Sequence, residues 1–138
     1  MKKDCIFCRI NSGEIPSATI FENDEFRVML DRFPATNGHI LIIPKEHVED
    51  IYELDPLVAA RMFEFATRFA SILKKTFGNE GLNILQNNGK VAGQTVFHYH
   101  LHLIPRYEND SVRIGWEANS QMTSEELEEF VDKIKSNM

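Results

Sequence analysis

An α+β fold is what this 138-residue chain predicts: an antiparallel sheet of about five strands, one long helix packed on it, and a second helix at the C-terminus. Three observations carry that expectation. Short apolar, β-prone runs alternate with Gly, Pro and Asn turn signals. The stretch from Pro56 to Phe77 repeats apolar residues in steps of three and four. In "HYHLHLIPR" (98–106), polar and apolar side chains alternate strictly.

The elements follow in order. "NSGEIPSA" (11–18) holds Gly13 and Pro16 and reads as a turn-rich connection. "ATIFEN" (18–23) and "EFRVMLD" (25–31) read as two strands joined at Asn23-Asp24. "RFPATNG" (32–38) is a loop, and "HILIIP" (39–44) a strand ended by Pro44. "HVEDIYELDP" (47–56) is a loop or short helical turn. Asp55 caps the long helix with Pro56 at its first position. Its buried stripe is expected at Ala59, Met62, Phe63, Ala66, Phe69, Ala70, Leu73 and Phe77, and Gly78 ends it. "GLNILQNN" (81–88) is a strand, "GKVAG" (89–93) a loop, and "QTVFHYHLHLIP" (94–105) the clearest strand. Thr123 and Glu126 form a capping box for a last helix with an apolar stripe at Leu127, Phe130, Val131 and Ile134.

Size and composition narrow the classes. The length fits one domain, residues 1–138, with one core. An apolar share of 43% and a charged share of 26% are those of a soluble globular protein. No run is long enough to span a membrane, and no signal-type apolar stretch follows Lys2 and Lys3, so the expectation is a cytoplasmic protein. The net charge of -6, without a basic block, argues against a nucleic acid polymer as partner. A single nucleotide needs only backbone N–H groups and a few polar side chains.

On a strand, His98, His100 and His102 share one face, while Phe97, Tyr99, Leu101 and Leu103 share the face under the long helix. The Cα atoms of His98 and His102 would lie ~13 Å apart. That is too far for all three rings to hold one ion comfortably. A division of labour fits better, with one end histidine serving a different partner from the other two. A neutral imidazole nitrogen can attack phosphorus, and a second, protonated ring can stabilise the phosphate oxygens. Gly93, Gln94 and Thr95 stand just upstream as material for an anion cradle. Cys5 and Cys8 have C-x-x-C spacing, which admits a redox pair, half of a zinc site, or a local pair without function.

"HYHLHLI" fits the His-x-His-x-His-x-x motif of the histidine triad (HIT) family of nucleotide hydrolases and transferases, and the chain resembles its bacterial Hit/Hint-like branch. "CIFCRINSGEIPSATIFEND" is similar to that family's N-terminal segment. "LDRFPATNGHILIIPKEH" resembles its nucleotide-binding strand pair, and "NNGKVAGQTVFHYHLHLIPR" its active-site segment. About residues 5–106 are covered, leaving 107–138 as a variable tail.

The resemblance implies a nucleotidyl hydrolase acting on AMP or GMP derivatives, phosphoramidates or dinucleoside polyphosphates. His100 would attack the α-phosphorus, and water would release the monophosphate from the nucleotidyl-histidine. His102, His98 and His39 match the other active-site histidines. Gly93, Gln94, Thr95 and Asn87 would hold the phosphate region and Asp31 the ribose. Ile6, Phe7, Ile10 and Met29 match apolar positions of the base pocket, and Arg32 stands where relatives often carry an apolar residue. His102, not glutamine, at the third triad position favours hydrolysis over transfer. Cys5, Cys8, His47 and His98 match a structural zinc site of some bacterial relatives, though the histidine chemistry itself needs no metal. The resemblance further implies a homodimer with one continuous sheet. A nucleotide-binding regulatory module with little turnover is the alternative, and a metal-binding or redox protein is a third reading.

Overall fold

The computed structural model describes residues 2–118 and 120–138. Strands β1 (Thr19–Glu22), β2 (Phe26–Leu30), β3 (Ile40–Pro44), β4 (Gly81–Leu85) and β5 (Leu101–Arg106) form one sheet in the order β1-β2-β3-β5-β4, with every pair antiparallel. Helix α1 (Ile6–Asn11) precedes them, α2 (Pro56–Phe77) lies between β3 and β4, and α3 (Ser124–Lys135) ends the chain. The α+β expectation of five antiparallel strands and two helices is met. Helix α1 is an addition: at six residues it is too short for a periodicity to announce it.

Local chemistry explains the joints. Between β1 and β2, Asn23 Oδ1 accepts the N–H groups of Glu25 and Phe26 at 2.9 and 2.7 Å. At the start of α2, the Asp55 side chain accepts the Leu57 N–H at 2.9 Å, with Pro56 in the first turn. Gly78, in the left-handed conformation, closes the helix by donating to Lys74 O.

The sheet is covered on both faces, unequally. Val28, Ile40, Ile42, Leu101 and Leu103 meet Met62, Ala66, Phe69 and Leu73 of α2 in the larger cluster. Met29, Leu41 and Ile43 face the other way, onto Phe7, Cys8 and Ile10 of α1. Strict alternation along β2 and β3 produces this division. The α2 stripe is narrower than expected: Phe63 and Phe77 are 49% and 41% exposed, on its flank.

The last strand also departs from expectation. It was predicted over 94–105 but pairs only from Leu101. The reason lies in its neighbour. Pro44 ends β3 with no N–H to offer, and its carbonyl accepts Asn11 Nδ2 and His98 Nε2 instead of a ladder partner. Upstream of the ladder, Tyr99 donates to Val48 O at 2.7 Å. The alternation of sides nevertheless persists: Tyr99, Leu101 and Leu103 join the α2 cluster, while His98 and His100 contact Phe7 of α1. Phe97 does not join that cluster. It precedes the paired region and is 42% exposed.

Arg106, at the end of β5, anchors the start of the tail. It holds both carboxylate oxygens of Asp110 at 2.8 Å, Asn83 Oδ1 at 2.8 Å and Val112 O at 2.7 Å.

One joint lies directly before the histidine-bearing start of β3. Gly38 has φ +87, and a Cβ there would sit 2.7 Å from two ring carbons of Phe77. Gly38→Ala is expected to destabilise the protein by about 1–3 kcal/mol. In a Phe77→Ala background only the backbone part, about 1 kcal/mol, should remain. Urea unfolding of the four variants measures this, and an equal cost in both backgrounds refutes the steric contact.

Candidate active site

The five histidines of the chain form one continuous row on the α1 side of the sheet, in the order His47, His98, His100, His102, His39. Ring centroids of His47 and His98 lie 4.9 Å apart, those of His100 and His102 4.9 Å, and those of His102 and His39 5.1 Å. Phe7 of α1 stands edge-on to both His98 and His100, at 5.8 and 5.0 Å.

A neutral imidazole carries one ring proton, and backbone groups decide where it sits. His100 Nδ1 donates to the His98 carbonyl at 2.7 Å, which leaves the His100 Nε2 lone pair free. His98 Nε2 donates to Pro44 O at 2.9 Å, which turns an unprotonated Nδ1 toward the two thiols and His47. His39 Nδ1 accepts the Ala35 N–H at 2.9 Å, so its Nε2 carries the proton and donates to His102 Nδ1 at 2.9 Å. His102 is thereby left with an Nε2–H. The row presents a lone pair at His100 beside a donor at His102.

Burial reinforces this state. His98 is fully buried and His100 is 9% exposed. Loss of hydration pushes the pKa values of His98 and His102 down to about 4 and lowers those of His100 and His39. His102 is also repelled by His100 and His39. The alternating row predicts a protonated second ring; burial instead keeps His102 neutral, still a donor through Nε2–H.

Around the row lie most of the other expected residues. Asp31 Oδ2 is 3.5 Å from His39 Nε2, and Oδ1 accepts the Phe33 N–H at 2.8 Å. Phe7, Ile10 and Met29 are buried in the α1 cluster, whereas Ile6 is 46% exposed and Arg32 is exposed. Gly93 is left-handed at φ +94, and Asn87 Nδ2 reaches its carbonyl at 3.4 Å. Gln94 is buried and fully engaged in shaping the loop. Its Oε1 accepts the Gly89 N–H at 2.7 Å, and its Nε2 donates to Glu49 O at 2.8 Å and Val96 O at 3.1 Å. Among the described residues, the backbone N–H groups of Thr95, Val96 and Phe97 have no protein acceptor. Buried or not, such groups seek one, and an anion supplies it. A cavity of about 530 Å³ lies elsewhere: it is lined by Thr36, Glu80, Tyr107 and Asp110 and by none of the histidines.

At the other end of the row, ligand atoms of Cys5, Cys8, His47 and His98 lie within 4.8 Å of one another. His98 Nδ1 is 3.4 Å from Cys5 Sγ, 3.6 Å from Cys8 Sγ and 3.1 Å from His47 Nδ1, and Cys8 Sγ is 3.3 Å from His47 Nδ1. Tetrahedral zinc bonds of ordinary length put ligand atoms about 3.3–3.8 Å apart. The donor set and spacing therefore fit zinc. Asn11 and the carbonyl of Pro44 were not singled out from sequence, and no sequence pattern marks a carbonyl that sets a tautomer.

The sign of the pH dependence follows. His98 and His102 titrate at about 4 when folded and near 6.5 when unfolded. Between those values the unfolded chain binds more protons, so stability present above pH 6.5 is lost as pH falls toward 4. In the presence of chelator, the melting temperature should drop by several degrees between pH 7 and pH 5. An unchanged melting temperature rules out buried neutral imidazoles.

Comparison with known proteins agrees with this geometry. Residues 12–109 match the family described as HIT domain. A crystal structure of a HIT family protein from Bacillus anthracis str. 'Ames Ancestor' matches with a TM-score of 0.93 at 40% identity, over 100% of this chain and 99% of that one. A Zn-bound histidine triad family protein from Mycobacterium smegmatis matches with a TM-score of 0.76 at 34% identity, over 98% of each chain. Adenosine 5'-monophosphoramidase hnt1 of Schizosaccharomyces pombe is 35% identical over 133 residues, 96% of each chain. With its histidine row on the α1 side of the sheet and a family match spanning most of its length, this chain belongs to the histidine triad (HIT) family.

Proposed function

We propose that this protein is a nucleotidyl hydrolase that cleaves the α-phosphate linkage of AMP or GMP derivatives, nucleoside phosphoramidates or dinucleoside polyphosphates. One observation carries the reading: His100 Nδ1 is held on the His98 carbonyl, so a neutral ring keeps an unprotonated Nε2, and the unpaired backbone donors of Thr95, Val96 and Phe97 stand a few residues upstream. His100 Nε2 attacks the α-phosphorus, and the bond to the leaving group breaks as that group takes up a proton from water. Water then attacks the phosphorus, the bond to His100 Nε2 breaks, and the nucleoside monophosphate leaves. His102 donates its Nε2–H to a phosphate oxygen, and the N–H groups of Thr95, Val96 and Phe97 complete the cradle. Gly93 and Gln94 shape that loop, with Asn87 against it. Asp31 accepts from the ribose hydroxyls. Ile6 offers apolar surface to the base, backed by Phe7, Ile10 and Met29, and Arg32 borders it. Similarity to a named AMP phosphoramidase supports the substrate class.

The same reading assigns a structural zinc to Cys5, Cys8, His47 and His98, supported by the ligand spacing and by the Zn-bound relative. The ion would tie α1 and the segment after β3 to the triad, and no chemical step requires it. We further infer a cytoplasmic homodimer joined at the open β4 edge; no helix among the described residues is long and apolar enough to cross a membrane.

His100→Ala should lower AMP release from adenosine 5'-phosphoramidate by at least about 10³-fold while AMP binding by calorimetry persists. Wild type that binds AMP yet turns over neither phosphoramidates nor dinucleoside polyphosphates would instead be a binding module. Elemental analysis of purified protein should find about one zinc per chain, falling below a tenth of that in Cys8→Ser. Full thiol titration without metal in the wild type would remove the zinc assignment.

A further inference from the structure

We propose that the C-terminal arm, residues 113–138, is an exchange arm: α3 of one copy packs over the α2–β4 edge of a second copy. The inference rests on the homodimer reading above and adds to it the segment that holds the dimer together.

Four observations lead there. First, α3 buries nothing. Leu127, Phe130, Val131 and Ile134 form one stripe and are 50, 52, 37 and 65% exposed. Ile114 and Trp116, earlier in the arm, are 44 and 90% exposed. Among the described residues, no hydrogen bond or ion pair joins 113–138 to the rest of the chain. A helix of 12 residues is marginal alone in water. The Thr123–Glu126 capping box fixes its start, but its stability must come from burial of its stripe.

Second, the arm leaves the domain at the sheet's open edge. The Arg106 clamp fastens Asp110 and Val112 beside Asn83 of β4, and β4 has a neighbour on one side only.

Third, that edge has an apolar surface waiting. Ala70 borders a hollow of about 260 Å³ together with Gly81 and Leu82 of β4, so this flank of α2 faces the edge. Phe63 and Phe77 lie seven residues either side of Ala70, on the same flank, and both are exposed, as is Ile84 of β4. In the same hollow, buried Asn79 keeps its Oδ1 without a donor.

Fourth, the charges match. Helix α3 carries Glu125, Glu126, Glu128, Glu129 and Asp132 against Lys133 and Lys135. Helix α2 carries Arg61, Arg68, Lys74 and Lys75; Arg61 is paired with Glu25 and Arg68 with Glu64, which leaves Lys74 and Lys75 in its last turn as the cations for another helix. An acidic amphipathic helix suits a basic, apolar-flanked helix of another copy.

Phe130→Asp/Ile134→Asp in the full chain tests the idea, with Lys135→Gln, outside the stripe, as control. Sedimentation should give wild type and control as dimers and raise the dimer dissociation constant of the double variant at least about 100-fold. Hydrogen exchange of α3 amides in wild type should slow as concentration rises through the dimer range. A wild type that stays monomeric at all concentrations overturns both the dimer reading and the arm. A double variant that dimerises as tightly as wild type, or α3 amides whose exchange ignores concentration, overturns the arm alone.

Discussion

The His98–His100 part of the histidine row depends on the carbonyl of Pro44. Proline cannot donate to the ladder, and β3–β5 pairing ends two residues before it, at Ile42, which leaves His98 outside the sheet. The freed carbonyl then takes the Nε2–H of His98 and fixes its tautomer. That one bond turns the other ring nitrogen of His98 toward Cys5, Cys8 and His47. The carbonyl of His98, also outside the ladder, takes the Nδ1–H of His100. The thiol cluster and the His100 ring are thus consecutive steps of one hydrogen-bonded chain.

Burial gives this chain of rings its chemistry. Five imidazoles so close would repel one another if charged, and loss of water already disfavours charge. His39, His98, His100 and His102 therefore rest neutral, their protons placed by the Ala35 N–H, the Pro44 and His98 carbonyls and the His39 ring. In the proposed reaction a phosphate would reverse the balance, since its negative charge would stabilise any proton that moves onto His102 or His39.

Much of this was legible in the sequence, and the limits have physical causes. The five strands, the long helix with its Asp55-Pro56 start and Gly78 end, and the capping box of the last helix are local signals, and local signals survive folding. The two-sided placement of the alternating row was readable because the side-chain period of a strand is two. Its extent was not, because the pairing limit is set by Pro44, a partner distant in sequence. Helix α1 escaped because six residues hold less than two turns of periodicity. Phe63, Phe77 and Phe97 were assigned to the core by pattern, yet pattern cannot distinguish an interior stripe from a surface reserved for something outside the chain. The tautomers were invisible because Ala35, His98 and Pro44 set them through backbone atoms, which carry no residue identity.

The two faces of the sheet divide stability from chemistry. The α2 face holds the larger apolar cluster. The α1 face holds the smaller one, under a helix too short to stand by itself. That helix is kept in place by cross-links: Asn11 to the Pro44 carbonyl at 3.1 Å, and buried Arg27 to Asn11 at 3.2 Å and to Glu22 at 2.8 Å. A metal on Cys5 and Cys8 would add one more at the opposite end of the helix. Phe7, which braces His98 and His100, sits between these fastenings. The orientation of the triad rings is therefore a property of how α1 is pinned, and loosening it should disturb the histidines long before it threatens the fold.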